Sequence, residues 1–422
     1  METFKTKFLY SLSKKILKKY HPDVIGIVGS VGKTTTQEAI YSVLSSKFNV
    51  RKNSSKGNNK IEIIFSIIGA DSKRRGWYSL VFHALKLLII KDSKYPDILV
   101  LEIDVKKPGD LERLTEYIPF HIGMITSSEA VQPSAFSSAK KLAAEYEIMI
   151  SRLPKDGIAI LNVDDEMVKG MKTKASMMTL GVINDADLKA NEPAISVNNE
   201  EADGLPIKGI SFKINYKGSV VPILIPEILG THQIYSVLAA IMCGLVYQMN
   251  LSEISNNLRE YHPPAGRMRL LKGIKNTLII DDTFSSSSVS VKAALGSLAL
   301  IPLKENVESY AVIGDIMDLG NMSEDIHREI GHYAEERGID KIITVGERSK
   351  DVAVAAREAG MEEDKVFSFD DVLGAGKFLQ KRLEKNDVVL ITGSAAMEME
   401  KIVKELMADP LLSKHLLINC GK

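Results

Sequence analysis

The segment VIGIVGSVGKTTT, residues 24–36, decides how this chain folds. Its first five residues, Val24–Val28, are apolar and mostly β-branched, which predicts a strand buried on both faces of a sheet. A short loop with two glycines follows, and residues 34–48 have the pattern of a helix. A buried strand that continues through a glycine-rich loop into a helix predicts an α/β domain with a largely parallel sheet.

The loop contains the residue types that a triphosphate needs. Gly29 and Gly32 let backbone amides approach phosphate oxygens, and the helix N-terminus adds a positive dipole. Lys33 supplies a full charge, and Thr34 is placed to bind a magnesium ion that bridges the β- and γ-phosphates. The spacing is G-x-x-G-K-T. The general phosphate-loop form, with four residues between its glycines, is not matched, because it would require a glycine at the position of Ile27. The predicted ATP-binding residues of the loop are Gly29, Ser30, Val31, Gly32, Lys33, Thr34 and Thr35.

A second apolar segment, ILVLEID at residues 98–104, ends in two carboxylates. The end of a strand beside a phosphate loop is where a second acid for magnesium normally lies. Glu102 and Asp104 alternate and therefore point to the same side of the strand. We favour Glu102 as a magnesium ligand together with Thr34, and Asp104 stays open. The alternative is that both are solvent-facing charges at a strand end.

The alternation of apolar runs and helical stretches continues along the chain. It predicts further strands at residues 121–126 and 158–161, and a small antiparallel insert or edge between Asp185 and Pro226. After the segment YHPPAGRM, residues 261–268, the alternation restarts with five more strands. The predicted fold class is α/β, with a central P-loop ATPase-type domain that has a mostly parallel sheet, followed by a Rossmann-like α/β C-terminal domain.

Three segments follow from these boundaries: an N-terminal basic amphipathic helix (1–23), a central ATP-binding domain (24–264) and a C-terminal α/β domain (265–422). The first segment has six lysines, with Phe4, Phe8, Leu12 and Ile16 at helical spacing. A basic amphipathic helix can lie on a membrane surface, so a weak surface contact stays open. A helix docked on the next domain with its lysines in water is the favoured interpretation.

Composition excludes several classes of protein. The chain has 422 residues, enough for two or three domains at roughly 150 residues each. Its 54 Lys and Arg balance its 54 Asp and Glu, which leaves no net field for holding nucleic acid. Two cysteines, Cys243 and Cys420, are too few for a disulfide framework and favour a reducing cytoplasm. The longest apolar stretch, residues 80–90, is too short to cross a bilayer, so we expect no integral membrane association.

Seven segments, in order, resemble landmarks of the Mur ligase family. They are GIVGSVGKTTT, LEIDVKKPGDL, GTHQIYSVLAA, PPAGRM, IIDDTFSSSSVSVKAAL, VIGDIMDLGNMSEDIHREIG and LITGSAAMEMEKIV. The similarity extends from about Val24 to about Met407 and is closest to the branch that adds D-alanyl-D-alanine to a UDP-linked tripeptide. The chain is therefore identified as a member of this family, without the N-terminal domain that holds the UDP-sugar part of the substrate.

The resemblance implies a role for each matching residue. It implies catalytic roles for three residues: Lys33 would bind the ATP phosphates, Glu102 would bind the metal, and Arg267 would approach the phosphates. Gln233 stands where an Asn reads adenine, and Asp282 would approach the ribose. The loop Gly57–Asn59 would lie near the acceptor substrate. His327 matches a family position too, although a histidine packed on a neighbouring element is the favoured interpretation.

The family's second metal site is altered. A metal-binding histidine and a carbamoylated lysine of the family correspond to Gln132 and Tyr146, and neither can do that work. Glu145 and Glu147 flank the tyrosine, so a carboxylate could substitute, although neighbouring helix residues point in different directions. We expect one magnesium ion, bound at Thr34 and Glu102 with the nucleotide.

The side of the site that takes the incoming amine is altered as well. Ser285 stands in place of an Asn, and Thr392 and Ala395 replace a Lys and an Arg. The usual cationic contact with the carboxylate of the amine substrate is therefore absent from this sequence.

Two hypotheses follow. The first is a cytoplasmic ATP-dependent amide-bond ligase of Mur type, acting through an acyl phosphate in cell-wall or related peptide synthesis, with ATP and Mg²⁺ as cofactors. Its partners would be a small-molecule or peptide acceptor and an amino acid or dipeptide. The alternative is an ATP-binding Mur-like protein without ligase activity that acts as a scaffold or regulatory partner. The alternative explains why the residues at the second metal site and at the amine side of the site are altered.

Overall fold

The computed structural model describes residues 4–54, 60–69, 77–128, 136–197, 207–284 and 286–419. The chain separates into two compact units. The first unit contains Met1–Asn191, Lys213–Pro222 and Ile234–Leu258, and the second contains Glu192–Phe212, Ile223–Gln233 and Arg259–Lys422. The three predicted segments, 1–23, 24–264 and 265–422, remain a prediction about domains.

The helices of the described residues are α1 (Phe4–Tyr20), α2 (Lys33–Leu44), α3 (Lys60–Ile68), α4 (Trp77–Ile89), α5 (Asp110–Tyr117), α6 (Ala139–Ser151), α7 (Glu166–Lys169), α8 (His232–Val246), α9 (Leu251–Arg259), α10 (Ser288–Ala299), α11 (Ser323–Glu336), α12 (Lys350–Glu358), α13 (Val372–Arg382), α14 (Glu400–Leu406) and α15 (Ser413–Leu416). They alternate with the strands over most of the chain, as the sequence predicts.

One sheet has nine strands in the order β2-β3-β1-β4-β5-β6-β7-β8-β9. The strands are β1 (Asp23–Val28), β2 (Val50–Lys52), β3 (Ile98–Glu102), β4 (Ile122–Ile125), β5 (Ile158–Asn162), β6 (Ser176–Gly181), β7 (Leu188–Val197), β8 (Ile207–Tyr216) and β9 (Ser219–Pro226). From β2 to β7 each neighbouring pair is parallel. Strand β1 lies between β3 and β4, so the carboxyl ends of these three strands meet at one edge, where a ligand binds in α/β sheets.

The second sheet has six strands in the order β10-β11-β15-β12-β13-β14. They are β10 (Arg269–Lys272), β11 (Leu278–Asp282), β12 (Ser309–Gly314), β13 (Lys341–Val345), β14 (Val366–Phe369) and β15 (Val388–Thr392). Only β10 is antiparallel to its neighbour among these strands. Apolar residues of alternating strand positions form two separate buried clusters in this unit, which is the pattern of a sheet covered on both faces.

The predicted fold class is confirmed, and the strands predicted from long apolar runs are present. Three strands were not predicted from the sequence: β2, β6 and β10. Each contains polar or charged residues and is partly exposed, so the apolar signal for a buried strand is missing. Strands β8 and β9 are joined by Lys217 and Gly218, both with positive φ, which is the turn of a two-residue antiparallel hairpin.

Helix α1 packs on the first unit through one face. Leu9, Leu12 and Ile16 are buried in the same cluster as residues of α3, α4 and α5, whereas Phe8 is partly exposed. The lysines Lys7, Lys15 and Lys18 lie on the exposed side. The docked helix favoured from the sequence is therefore present.

Candidate functional site

The phosphate loop connects the end of β1 to the beginning of α2. Gly29 has φ of 142° and Gly32 has φ of 84°, conformations that residues with a side chain rarely adopt. A Cβ atom at Gly29 would lie 2.1 Å from the hydroxyl oxygen of Thr126, so no side chain fits there. Gly32 is the N-cap of α2 and receives no side-chain capping bond. The first amides of the helix are therefore presented to a ligand, as an anion site requires.

Residues that follow β4 hold the loop in place. The Thr126 hydroxyl donates to the carbonyl oxygen of Val31 at 2.6 Å, and the Ser30 amide donates to the carbonyl oxygen of Ser127 at 2.8 Å. Because β4 is a neighbour of β1 in the sheet, these bonds fix the loop to the rigid edge of that sheet. Thr126 belongs to no sequence motif that would mark it as a site residue.

The structure brings the side chain of Lys33 over the loop and that of Thr34 beside Glu102. Lys33 donates from Nζ to the carbonyl oxygen of Gly29 at 2.7 Å, so its ammonium group lies over the loop. The Thr34 hydroxyl donates to Oε1 of Glu102 at 3.0 Å, and Glu102 is almost fully buried. A hydroxyl and a carboxylate oxygen side by side at a phosphate loop form the hard oxygen donor set that Mg²⁺ prefers. The residues present therefore fit a magnesium ion bound with ATP.

The backbone of Glu102 is hydrogen-bonded to the side chain of Asn53, which in turn is hydrogen-bonded to Gln37. The Glu102 amide donates to Oδ1 of Asn53 at 2.8 Å, and Nδ2 of Asn53 donates to the Glu102 carbonyl oxygen at 2.9 Å. Gln37 on α2 donates from Nε2 to the same Asn53 oxygen at 2.6 Å. All three side chains are buried. Asn53 thus continues the strand pairing past the end of β2 and fixes the backbone of Glu102, a role that its polar sequence neighbourhood did not indicate.

Tyr146 faces the phosphate loop. Its hydroxyl lies 3.4 Å from the hydroxyl of Ser30, and its ring is buried in the core under α6. Burial raises the pKa of the phenol to about 12, and the nearby Asp104 carboxylate adds to this increase. Tyr146 is therefore a neutral hydroxyl beside the loop, where the family resemblance implies a negative oxygen ligand.

Neither glutamate beside Tyr146 substitutes for that ligand. Glu145 accepts from the amides of Gly109 and Leu111, both at 2.9 Å, and so caps the beginning of α5. Glu147 accepts from the amide of Lys172 at 3.0 Å. No group of three or more His, Cys, Asp or Glu residues that could hold a metal occurs in the described part of the chain. Gln132 lies outside the described residues.

Replacing Tyr146 by lysine is expected to lower activity and not to create a bicarbonate-dependent enzyme. The new amine would be buried among apolar side chains, with the neighbouring carboxylates already bound to backbone amides. Phosphate release by the Tyr146→Lys variant, measured in degassed buffer and again with added bicarbonate, should give the same rate. Tyr146→Phe is the matched control, since it keeps the ring and removes only the long contact with Ser30. Stimulation by bicarbonate in the lysine variant would contradict the expectation.

The second unit contains the other predicted nucleotide contacts. Asp281 and Asp282 end β11 and are both buried. Asp281 accepts from the Gly266 amide at 3.0 Å and from the Thr283 hydroxyl at 2.7 Å, so it fixes the chain just before Arg267. The guanidinium carbon of Arg267 lies 4.2 Å from the ring centre of Phe284. A cation over an aromatic ring is held in place, which gives Arg267 a defined direction.

Gln233 and His232 form a pair at the beginning of α8. Nε2 of Gln233 lies 3.0 Å from Nε2 of His232, and Gln233 is buried. Burial of the ring, together with the positive charge of Arg267, lowers the pKa of His232 to about 4. The imidazole is therefore neutral at pH 7 and can exchange a hydrogen bond with the amide. The amide predicted to read adenine is thus oriented by its neighbour.

Thr392, one of the altered positions, lies beside Asp282 in this unit. The Thr392 hydroxyl donates to Oδ2 of Asp282 at 3.5 Å and lies 3.3 Å from the hydroxyl of Ser286. Burial raises the pKa of Asp282 to about 8, and the charge of Arg267 opposes the increase. Ala395 begins an exposed turn after β15, and Ser285 lies outside the described residues. In this unit, therefore, no cation stands at the two altered positions 392 and 395.

Replacing Asp282 by asparagine is expected to make the protein more stable than the wild type, by an amount that increases with pH. A carboxyl with a raised folded-state pKa binds more protons folded than unfolded, so the wild type loses stability as pH rises from about 4 to about 8. The variant lacks this loss. The difference in free energy of unfolding between the variant and the wild type should grow by about 3–4 kcal/mol between about pH 5 and about pH 8. Denaturant unfolding without nucleotide measures it, with the exposed Asp364→Asn as control. An advantage independent of pH would contradict the prediction.

His327 has a structural role, as favoured from the sequence. It is buried on α11, accepts at Nε2 from the Ile316 amide at 3.1 Å, and donates from Nδ1 to the Ser323 carbonyl oxygen at 2.7 Å. These bonds join the beginning of the helix to the loop after β12. The predicted acceptor loop, Gly57–Asn59, lies outside the described residues.

The predicted site residues thus fall into two groups. The first unit brings together the loop residues 29–35, Glu102 and Tyr146. The second unit holds Gln233, Arg267 and Asp282. Their roles in binding and catalysis remain predictions.

Family models match both halves of the chain. The model of the Mur ligase middle domain matches residues 27–244, and that of the Mur ligase, glutamate ligase domain, matches residues 266–395. Among known proteins, the UDP-N-acetylmuramoyl-tripeptide--D-alanyl-D-alanine ligase of Bacillus subtilis is 26% identical over 407 residues, which is 96% of this chain and 80% of that protein. The enzyme of the same name from Escherichia coli is 23% identical over 390 residues, 92% of this chain and 77% of that protein.

Solved structures share the fold. MurF from Acinetobacter baumannii superposes with a TM-score of 0.77 at 21% identity, covering 96% of this chain and 81% of that one. MurF ligase from Thermotoga maritima in complex with ADP gives a TM-score of 0.74 at 20% identity, covering 95% and 83%. Folylpolyglutamate synthase from Mycobacterium tuberculosis gives 0.62 at 14% identity, covering 94% and 95%.

Proposed function

This chain belongs to the Mur ligase family, and from that premise we propose that it is an ATP-dependent ligase that joins a carboxylate to an amine in cell-wall peptide synthesis. The observation that carries the proposal is the phosphate loop with its Thr34–Glu102 pair, placed at the sheet edge of a Mur-type fold. Its cofactors are ATP and Mg²⁺. The proposed acceptor is a peptide-bearing precursor with a free carboxylate, and the amine is an amino acid or a dipeptide such as D-alanyl-D-alanine.

In the proposed reaction the acceptor carboxylate attacks the γ-phosphorus of ATP, and ADP leaves. The amine then attacks the carbonyl carbon of the acyl phosphate, and inorganic phosphate leaves as the amide forms. The protein contributes mainly by positioning the reactants and neutralising charge. The loop amides and Lys33 would bind the phosphates of ATP. Thr34 and Glu102 would hold the magnesium ion. When bound, the ion neutralises charge on the β- and γ-phosphates.

Several observations support retained phosphoryl transfer. Lys33 contacts the Gly29 carbonyl oxygen, Thr34 contacts the Glu102 carboxylate, and Asn53 holds the backbone of Glu102. The neutral residues Thr392 and Ala395 would leave the carboxylate of the incoming amine without its usual cations. We therefore propose that the amine substrate is held differently from that of the relatives.

The free, buried Cys243 accords with a reducing cytoplasm, where we place the reaction.

Phosphate release tests the proposal directly. The protein is incubated with ATP, Mg²⁺ and UDP-N-acetylmuramoyl-tripeptide, first with D-alanyl-D-alanine and then with pooled amino acids and dipeptides. We expect phosphate release that requires both an acceptor and an amine, with an amide product detected by mass spectrometry. Confirmed ATP binding without phosphate release on any combination would instead favour the nucleotide-binding scaffold.

A further inference from the structure

Helix α4 presents an apolar stripe to solvent. Tyr78 is 87% exposed, Phe82 is 72% exposed and Ile89 is 81% exposed, and Leu85 between them is also exposed. The spacing of these residues places them on one face, because a helix repeats every 3.6 residues. The opposite face of α4, with Leu80 and Ala84, is buried in the core of the first unit. An exposed row of large apolar side chains on a well-packed helix is typical of an interaction surface.

Helix α1 lies beside α4 and runs in the same direction. Near the beginning of both helices, the rings of Phe8 and Trp77 are 6.3 Å apart. At their ends, Lys19 donates to the carbonyl oxygens of Leu87 and Leu88, both at 2.9 Å. The two helices thus form one continuous surface, which we call the α1–α4 face.

The α1–α4 face carries charge of a single sign. Helix α1 contains six lysines and α4 contains one, and neither helix contains an aspartate or glutamate. The chain as a whole has no net charge, so this concentration of lysines is local. Lys7, Lys15, Lys18 and Lys86 are exposed. A stripe of aromatic and aliphatic side chains with lysines alongside is the composition of a helix that lies in a membrane interface.

We propose that the α1–α4 face binds the surface of an anionic lipid bilayer, with Tyr78, Phe82 and Ile89 entering the interface and the lysines of α1 contacting lipid phosphates. Among the described residues no helix has both the length and the apolar character needed to span a membrane. A second copy of the chain fits this face less well. A two-fold interface would place the same lysines opposite one another without an acid to compensate.

Sedimentation with vesicles tests the proposal without nucleotide or substrate, so its result is independent of ligase activity. The full chain is mixed with vesicles of pure phosphatidylcholine, or with vesicles of equal parts phosphatidylcholine and phosphatidylglycerol. We expect binding to the anionic vesicles and much weaker binding to the neutral ones. Raising the salt to about 1 M, where the Debye length falls to about 3 Å, should release most of the protein.

Paired variants separate the two contributions. Phe82→Ser with Ile89→Ser should weaken binding by at least about tenfold, because the apolar stripe is lost. Lys15→Glu with Lys18→Glu should weaken it by about 25-fold or more, since each lysine near an anionic surface is worth about a factor of five. The matched controls are Ile183→Ser for the apolar change and Lys172→Glu with Lys174→Glu for the charge change, all exposed in the same unit. The controls should bind as the wild type does.

Three results would overturn the proposal. The first is wild-type protein that sediments no better with anionic than with neutral vesicles. The second is unchanged binding in both paired variants while the melting temperature shows that they are folded. The third is a concentration-dependent dimer in analytical ultracentrifugation that Phe82→Ser with Ile89→Ser abolishes, with no vesicle binding. That outcome would assign the face to a second copy of the chain.

Discussion

Replacing Lys33 by alanine is expected to abolish measurable ATP binding and, with it, phosphate release. The ammonium group lies over the phosphate loop, 2.7 Å from the Gly29 carbonyl oxygen, where it would contact the triphosphate. Losing a charge-assisted contact in such a site costs on the order of 2–4 kcal/mol, roughly a 30- to 1000-fold loss of affinity. Calorimetric titration with a non-hydrolysable ATP analogue and magnesium measures this loss.

The control must separate lost binding from lost structure. Lys47 is exposed just after α2, so Lys47→Ala removes the same charge from the same unit without touching the loop. Its affinity for ATP should match the wild type. The Lys33→Ala variant should also melt close to the wild-type temperature without nucleotide, because Lys33 is not part of the apolar core. ATP affinity that is unchanged in a folded Lys33→Ala variant would refute the assignment of this loop.

The second large effect is expected from Glu102→Gln. The amide keeps the size of the side chain and an oxygen for the Thr34 hydroxyl, but it removes the negative charge. Changes at groups that only support a metal ligand typically cost about 10- to 100-fold in metal affinity or activity, and a direct ligand should cost at least as much. We expect phosphate release to fall by about 100-fold or more. The magnesium concentration for half-maximal rate should increase at least about tenfold.

Asp104→Asn is the informative comparison for this variant. Asp104 lies beyond the end of β3 and is half-buried, whereas Glu102 is nearly fully buried and bound to Thr34. We therefore expect the Asp104 variant to keep most of its activity and its magnesium dependence. A larger loss in Asp104→Asn than in Glu102→Gln would transfer the metal role to Asp104. Calorimetry with ATP in the absence of magnesium should give similar affinities for both variants, since neither group contacts phosphate directly in the proposed site.

Much of the fold was predictable because its signals are local. The strands β1, β3, β12 and β15 are short apolar runs whose residues are buried on both faces, and such runs stand out in any sequence. Strand β10, by contrast, has Arg269 and Lys272 at its ends and directly follows the Pro- and Gly-containing segment 261–268. It forms because it pairs in antiparallel orientation with β11, so its formation depends on the partner strand and not on its own sequence.

The site divides in the same way. Gly29, Lys33 and Thr34 form a contiguous motif whose chemistry depends on neighbouring residues alone, so the sequence by itself predicted an ATP site there. Glu102 could be added because a strand end is also a local feature. For positions 145 and 147 the sequence left open whether a carboxylate substitutes for the missing ligand, and it could not tell that both glutamates are bound to backbone amides.

Only the tertiary structure decided the supporting contacts, because each joins residues that are distant along the chain. Asn53 orients Glu102 across 49 positions, Tyr146 reaches Ser30 across 116, and Thr392 reaches Asp282 across 110. A side chain of ordinary type acquires such a role only through the neighbours that sheet order and helix packing bring to it. The apolar stripe of α4 shows the same limit. Its sequence has a helical apolar pattern on more than one side, and burial of Leu80 and Ala84 decided that the face with Phe82 and Ile89 is left to solvent.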